Sequence, residues 1–177
     1  MVGRPEPSRS PLRRLDALGR ASVPATVLVA LMVLASGPTG LPGGVGAVAL
    51  PCVVFWSIFR PGTMPPPVVF GLGLLHDLLS GAPLGVGIIT FLLAHGVAVT
   101  WQRPLARQSF LRVWLAFCGL AVGAAVLGHA LSALLAWNLP PLAPALHQAA
   151  LAIGLYPLLA GALGGLHATL MRAEDRR

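Results

Sequence analysis

Five of the 177 residues are acidic, and one of them, Asp77, lies inside an apolar stretch; Glu6, Asp16, Glu174 and Asp175 sit near the chain ends. Its setting is "GLGLLHDLLSGAPLG", residues 71–85. A carboxylate within a spanning helix costs roughly 2.5–3.5 kcal/mol on insertion scales, so it is a candidate for function. Three roles are open to it: capping a helix, contacting a partner or ligand, and transferring a proton. The spacing favours the first. Gly81 eases a left-handed helix end and Pro83 fits a helix's first turn. The Asp77 carboxylate and the Ser80 hydroxyl can then accept from open amides of the following helix, whose N-terminus favours negative charge.

The five histidines form no site by spacing. No pair lies on one helix face with a glutamate, as a metal-binding helix requires. His76–Asp77 is superficially like the pair of soluble metal phosphohydrolases, yet no second acid completes such a centre. Each histidine therefore reads as a neutral ring hydrogen-bonded between helices. Nucleophile elbows, phosphate loops and redox cysteine pairs are absent, as is the string of buried acids that would couple ion flow. Cys52 and Cys118 fall in apolar runs, where a small buried thiol is the ordinary role. The expectation is a protein without catalytic residues, metal or cofactor.

The elements that carry these residues follow from composition. The chain is 56% hydrophobic and 10% charged, with a mean hydropathy of +0.81. A soluble domain carries about 25% charged residues. The apolar runs are long enough to cross a hydrocarbon core, which takes about 20 residues per helix. This points to an all-α integral membrane protein with spans over 23–40, 43–59, 66–80, 84–101, 109–137 and 144–171. Residues 1–22 form an arginine-rich cytoplasmic tail, 23–171 the membrane domain, and 172–177 a second basic tail. Leu12, Leu15 and Leu18 suggest a short interfacial helix in the first tail. No small-residue cleavage site closes the first apolar run, which reads as an uncleaved span.

Arginine placement tests the span count. There are twelve arginines and no lysine. With six spans and both termini cytoplasmic, all twelve fall on the inner side; without the first span, five would lie outside. The positive-inside rule therefore selects six. The net charge of +7 also suits nucleic acid, but the arginines cluster at segment ends rather than along one face, which excludes that partner. Trp56, Trp101 and Trp114 are expected at the cytoplasmic interface and Trp137 at the outer one. Asp77 lies about 16 Å along the third span at 1.5 Å per residue, close to the outer turn. Pro51 and Pro157 should kink their spans. Four Gly-x-x-x-Gly matches, at 40/44, 81/85, 119/123 and 161/165, barely exceed what the glycine content gives by chance.

"LLHDLLSGAPLG" resembles the signature of the rod shape-determining protein MreD family, in which a span ends in Asp-Leu-hydrophobic-Ser-Gly and continues into Pro/Thr-Leu-Gly. Asp77, Leu78, Ser80, Gly81, Leu84 and Gly85 match position by position. "VVFWSIFRP" (53–61) is similar to the family's aromatic close of the second span, and "LYPLLAGALGGLHATLMR" (155–172) to its last span. The sequence departs at His76, where the family has an aliphatic residue, and at "GPTGLPGG" (37–44), where it has polar ones. The resemblance implies a fold like the substrate-binding subunit of energy-coupling-factor transporters. It also implies a non-enzymatic scaffold of the cell-elongation machinery in the bacterial inner membrane. Such a scaffold binds MreC and acts with RodA and its partner transpeptidase, and indirectly with MreB. Its partner-facing helices would carry Gly119, Gly123, Gly161 and Gly165. One rival is a vitamin-binding transporter subunit, with an outward pocket drawn from Asp77, His129, Trp137, Asn138 and His147. The other is an intramembrane enzyme using His76, Asp77 and His129.

Overall fold

A computed structural model describes residues 11–37 and 43–175, with side chains described for 22–37 and 43–165. The expectations for Arg4, Glu6, Arg9, Arg176 and Arg177, and for the loop 38–42, fall outside the described residues. So do the side chains of Leu12, Leu15, Leu18 and His167. All regular structure among the described residues is helical: α1 (Pro11–Ala35), α2 (Gly44–Phe59), α3 (Pro66–Ser80), α4 (Val86–Thr100), a single turn α5 (Gln102–Leu105), α6 (Phe110–Ala136) and α7 (Leu142–Asp175). A 3-10 turn, Pro61–Thr63, joins α2 to α3.

The helix ends follow glycine and proline chemistry. Gly81 ends α3 with φ 66°, and Gly85 precedes α4 with φ 106°, both in the left-handed region that glycine enters without a Cβ penalty. Pro66 occupies the first turn of α3, where a missing amide leaves nothing unpaired. Pro83 corrects an expectation: it does not open α4. Gly85 is not helical, so α4 starts at Val86, and the Pro83 carbonyl accepts from the Val86 amide at 3.2 Å within the turn. At the other end of the chain, α1 begins at Pro11, so the arginine-bearing stretch and the first apolar run form one helix.

α2 is the centre of the molecule. Thirteen of its sixteen residues are buried, because α1, α3, α4 and α7 all pack around it. Leu28 and Met32 of α1, Phe91 of α4, Phe117 of α6 and Tyr156 of α7 complete this core. Tyr156 stacks on Phe117 at a ring separation of 4.2 Å. Trp56 lies wholly inside, edge-on to Phe55 at 5.5 Å, so it does not belong to an interfacial belt. Trp101 and Trp137 are exposed, and the Trp114 indole donates to the Ile153 carbonyl at 3.2 Å.

α3 and α4 form a tight hairpin. At Gly73 a Cβ would stand 2.5 Å from the Ile88 Cα, so only glycine lets these backbones approach so closely. Among the described residues, two stretches are long and apolar enough to cross a membrane unaided: Phe110–Ala136 and Leu142–Gly165. Few residues of either are buried, unlike the core helix of a soluble protein. The other apolar helices, Ser22–Ala35, Gly44–Phe59, Pro66–Ser80 and Val86–Thr100, are shorter. At 1.5 Å per residue they reach about 21–24 Å, less than the ~30 Å of a typical hydrocarbon core.

Candidate functional site

Asp77 is fully buried, and both carboxylate oxygens are engaged. Oδ2 accepts the Gly85 amide at 2.8 Å and Oδ1 the Gly87 amide at 2.7 Å. The carboxylate thus caps α4 from eight and ten residues upstream, taking two of the donors that a helix start leaves open. Its charge lies at the positive end of the α4 dipole. Glycine at 87 is required by the same geometry, because a Cβ there would fall 2.5 Å from His76 Nδ1 and 2.9 Å from the Gly73 carbonyl oxygen.

The remaining residues of the motif divide into two groups. Ser80 corrects the expectation that it accepts from α4: its hydroxyl donates to the His76 carbonyl at 2.7 Å, one turn back on its own helix. Gly81 and Gly85 supply backbone conformation. Leu78 and Leu84 are 65% and 61% exposed and contribute an apolar outer surface beside the buried cap.

His76 is held between the cap and the bundle. Its Nδ1 lies 3.3 Å from Asp77 Oδ1, and its ring leans on Phe91 at 5.1 Å between centroids. A carboxylate only accepts, so Nδ1 carries the proton in this contact. The other ring nitrogen, Nε2, sits beside Gly46 of α2, where the Gln148 amide of α7 also converges; a Cβ on Gly46 would collide with both groups. His95 is an interhelical histidine of the expected kind. Ser57 Oγ donates to the Val53 carbonyl at 2.6 Å and so receives the His95 Nδ1 proton at 2.7 Å, tying α2 to α4.

A cavity of about 420 Å³ opens beside this cap, among α3, α4, α6 and α7. His76, Ser80, Thr90, His129, Ser132 and Gln148 supply its polar lining. Of the residues expected to build an outward pocket, the structure brings His129 to it, with His76. Trp137, Asn138 and His147 are exposed outside it, and the Asp77 oxygens are spent on the cap. Thr90, Ser132 and Gln148 were missed. Gln148 directly follows His147, but one helical step of about 100° turns a neighbour to a different face. Thr90 within "GIITFLL" carries no sequence signal, since helical threonines usually satisfy themselves on their own backbone.

Chemically, the cap positions two helices, and the cavity offers hydroxyl, amide and imidazole groups. No group of three or more histidine, cysteine or acidic residues able to hold a metal occurs among the described residues. No protein-family model, curated protein or solved structure matches the chain.

Proposed function

We propose that the chain is a non-enzymatic scaffold of the MreD type, crossing a bacterial inner membrane six times with both termini in the cytoplasm. In this reading it binds MreC and supports peptidoglycan synthesis by RodA and its partner transpeptidase, with MreB engaged indirectly. The observation that carries the reading is the Asp77 cap. Of the residues that match the family motif, Asp77, Gly81 and Gly85 build a single device, in which a buried carboxylate closes the α3–α4 turn and glycines provide its backbone.

The membrane part of the proposal is supported by exposed apolar side chains. Leu34, Phe70, Leu93, Leu115, Val126 and Leu158 all face outward, from five different helices, a surface that water does not tolerate and lipid does. The short helices span by local bilayer thinning, at fractions of a kcal/mol per ångström of mismatch. Leu78 and Leu84 then form an apolar rim at the outer face, where a periplasmic or membrane partner packs. A second seat for a partner helix lies along α7, where Gly161 and Gly164 line a groove with Phe59 and Phe110; small residues of this kind let helices approach in lipid.

Depleting the protein should round rod-shaped cells, and MreC should co-purify with it in mild detergent. Leu84→Ser should leave thermal stability within about 0.5 kcal/mol, as for other surface changes, while reducing co-purified MreC severalfold. Unchanged rods together with no co-purification would refute the proposal.

A further inference from the structure

Beside the polar cavity lies a second one, of about 480 Å³, running along α4 and α6. Its walls are apolar, including Leu93, Val97, Trp101, Phe117, Gly119 and Gly123. The two cavities share Thr90 and Ala124, so they adjoin at that point.

Thr90 is the anomaly at the junction. It is 8% exposed, and its Oγ1 has no hydrogen-bond partner among the described residues. Two other helical threonines satisfy themselves on the carbonyl four residues back, Thr26 on Ser22 at 3.0 Å and Thr100 on Gly96 at 2.8 Å. Thr90 does not. Its Oγ1 faces α6 instead, 3.8 Å from where Gly128 would carry a Cβ, with the Val86 Cγ1 methyl at the same distance from that point. A buried hydroxyl left unpaired is unfavourable, so it marks a place where a bound group is expected to supply the partner.

We infer that the adjoining cavities form one site for a single lipid with an uncharged, hydroxyl-bearing head, seated among α4, α6 and α7, and one acyl chain along the α4–α6 groove. The lining selects this chemistry. Thr90, Ser132, His129 and Gln148 each both donate and accept, as hydroxyl groups do. No arginine lines either cavity, so a phosphate head finds no guanidinium to pair with it. A protein helix, about 10 Å across, enters the groove no further than its side chains and leaves the Thr90 hydroxyl unmet. The inference rests on the membrane reading above.

The test uses the full chain in phosphatidylcholine nanodiscs, with a monoacylglycerol brominated on its chain as the probe. Trp101 lines the groove, so quenching is read as the difference between the parent protein and Trp101→Phe. Saturable quenching is expected. Thr90→Val should weaken the probe about five- to tenfold, the worth of one hydrogen bond, with thermal stability unchanged or raised because an unpaired hydroxyl is removed. Gly123→Leu should abolish binding by filling the groove. Equal, unsaturable quenching by brominated phosphatidylcholine would overturn the site, as would a Thr90→Val protein that binds like the parent. Competition by free glycerol alone would overturn the chain-binding half. Alkaline carbonate extraction from native membranes separates the two levels. Release of the chain would sink the membrane reading itself, whereas retention without quenching sinks this inference alone.

Discussion

At the scale of single residues, Asp77 works through geometry that a conservative change divides. An asparagine keeps one acceptor for one of the two amides and turns a donor toward the other, so Asp77→Asn should lose about 1–2 kcal/mol of stability. Asp77→Ala leaves both amides unmet and should lose about 2–4 kcal/mol. Thermal denaturation in detergent reads both, and a result in which the alanine variant is no worse than the asparagine one would contradict the cap. A protein relying on Asp77 for proton transfer would instead lose all function in the asparagine variant while keeping its fold. Ser57 makes a parallel case. Ser57→Ala strands the buried His95 Nδ1 proton and should cost about 1–3 kcal/mol, measured the same way; a neutral effect would mean that the His95 ring turns to another partner. The contact of Asp77 with the start of α4 was legible in the sequence because glycine and proline just after it mark a turn into the next helix, whose open amides a nearby carboxylate can meet. Ser80 was not legible, since a serine four residues past a carbonyl can turn inward as easily as forward, and only packing decides.

At the scale of elements, the α3–α4 hairpin depends on close backbone approach more than on side-chain volume. Gly87→Ala places a methyl against His76 and the Gly73 carbonyl and should abolish folded expression. Gly71→Ala, on the same hairpin but with nothing within 4 Å of its Cβ position, should be neutral or stabilising by up to about 1 kcal/mol. Fluorescence-detected size exclusion distinguishes the two, and equal behaviour would show that the tight hairpin is not what the glycines serve. Most helix boundaries could be read from the chain, because glycine and proline punctuate it; α3 spans 66–80 as expected, and α2 and α6 differ by a residue or so. The start of α4 was misplaced because Pro83 suits either a first helical turn or the loop before it, and the conformation of Gly85 settles which. Trp56 was misplaced for a different reason. α2 is apolar on every side, so its pattern has no face that reveals a central position, and a tryptophan near its end reads like an interfacial one until α1, α4 and α7 are seen around it.

For the molecule as a whole, the proposal is topological: six apolar helices, four of them short, would cross one bilayer with every arginine on the inner side. The proposed outward orientation of the cap, of the Leu84 rim and of the proposed lipid site follows from it. What the sequence could not convey at this scale is the central position of α2 and the convergence of Thr90, His129 and Gln148 from three helices on one cavity, because such neighbours are set by packing across distant segments. The most direct test is accessibility labelling with a membrane-impermeant thiol reagent on intact cells. Cys52→Ala and Cys118→Ala remove the native thiols, and Ser80→Cys, Arg107→Cys and Arg177→Cys are then examined singly. A topology of six spans with cytoplasmic termini predicts labelling at position 80 without permeabilisation, and at 107 and 177 only after it. Labelling of 177 on intact cells, or failure to label 80 until the membrane is opened, would contradict it.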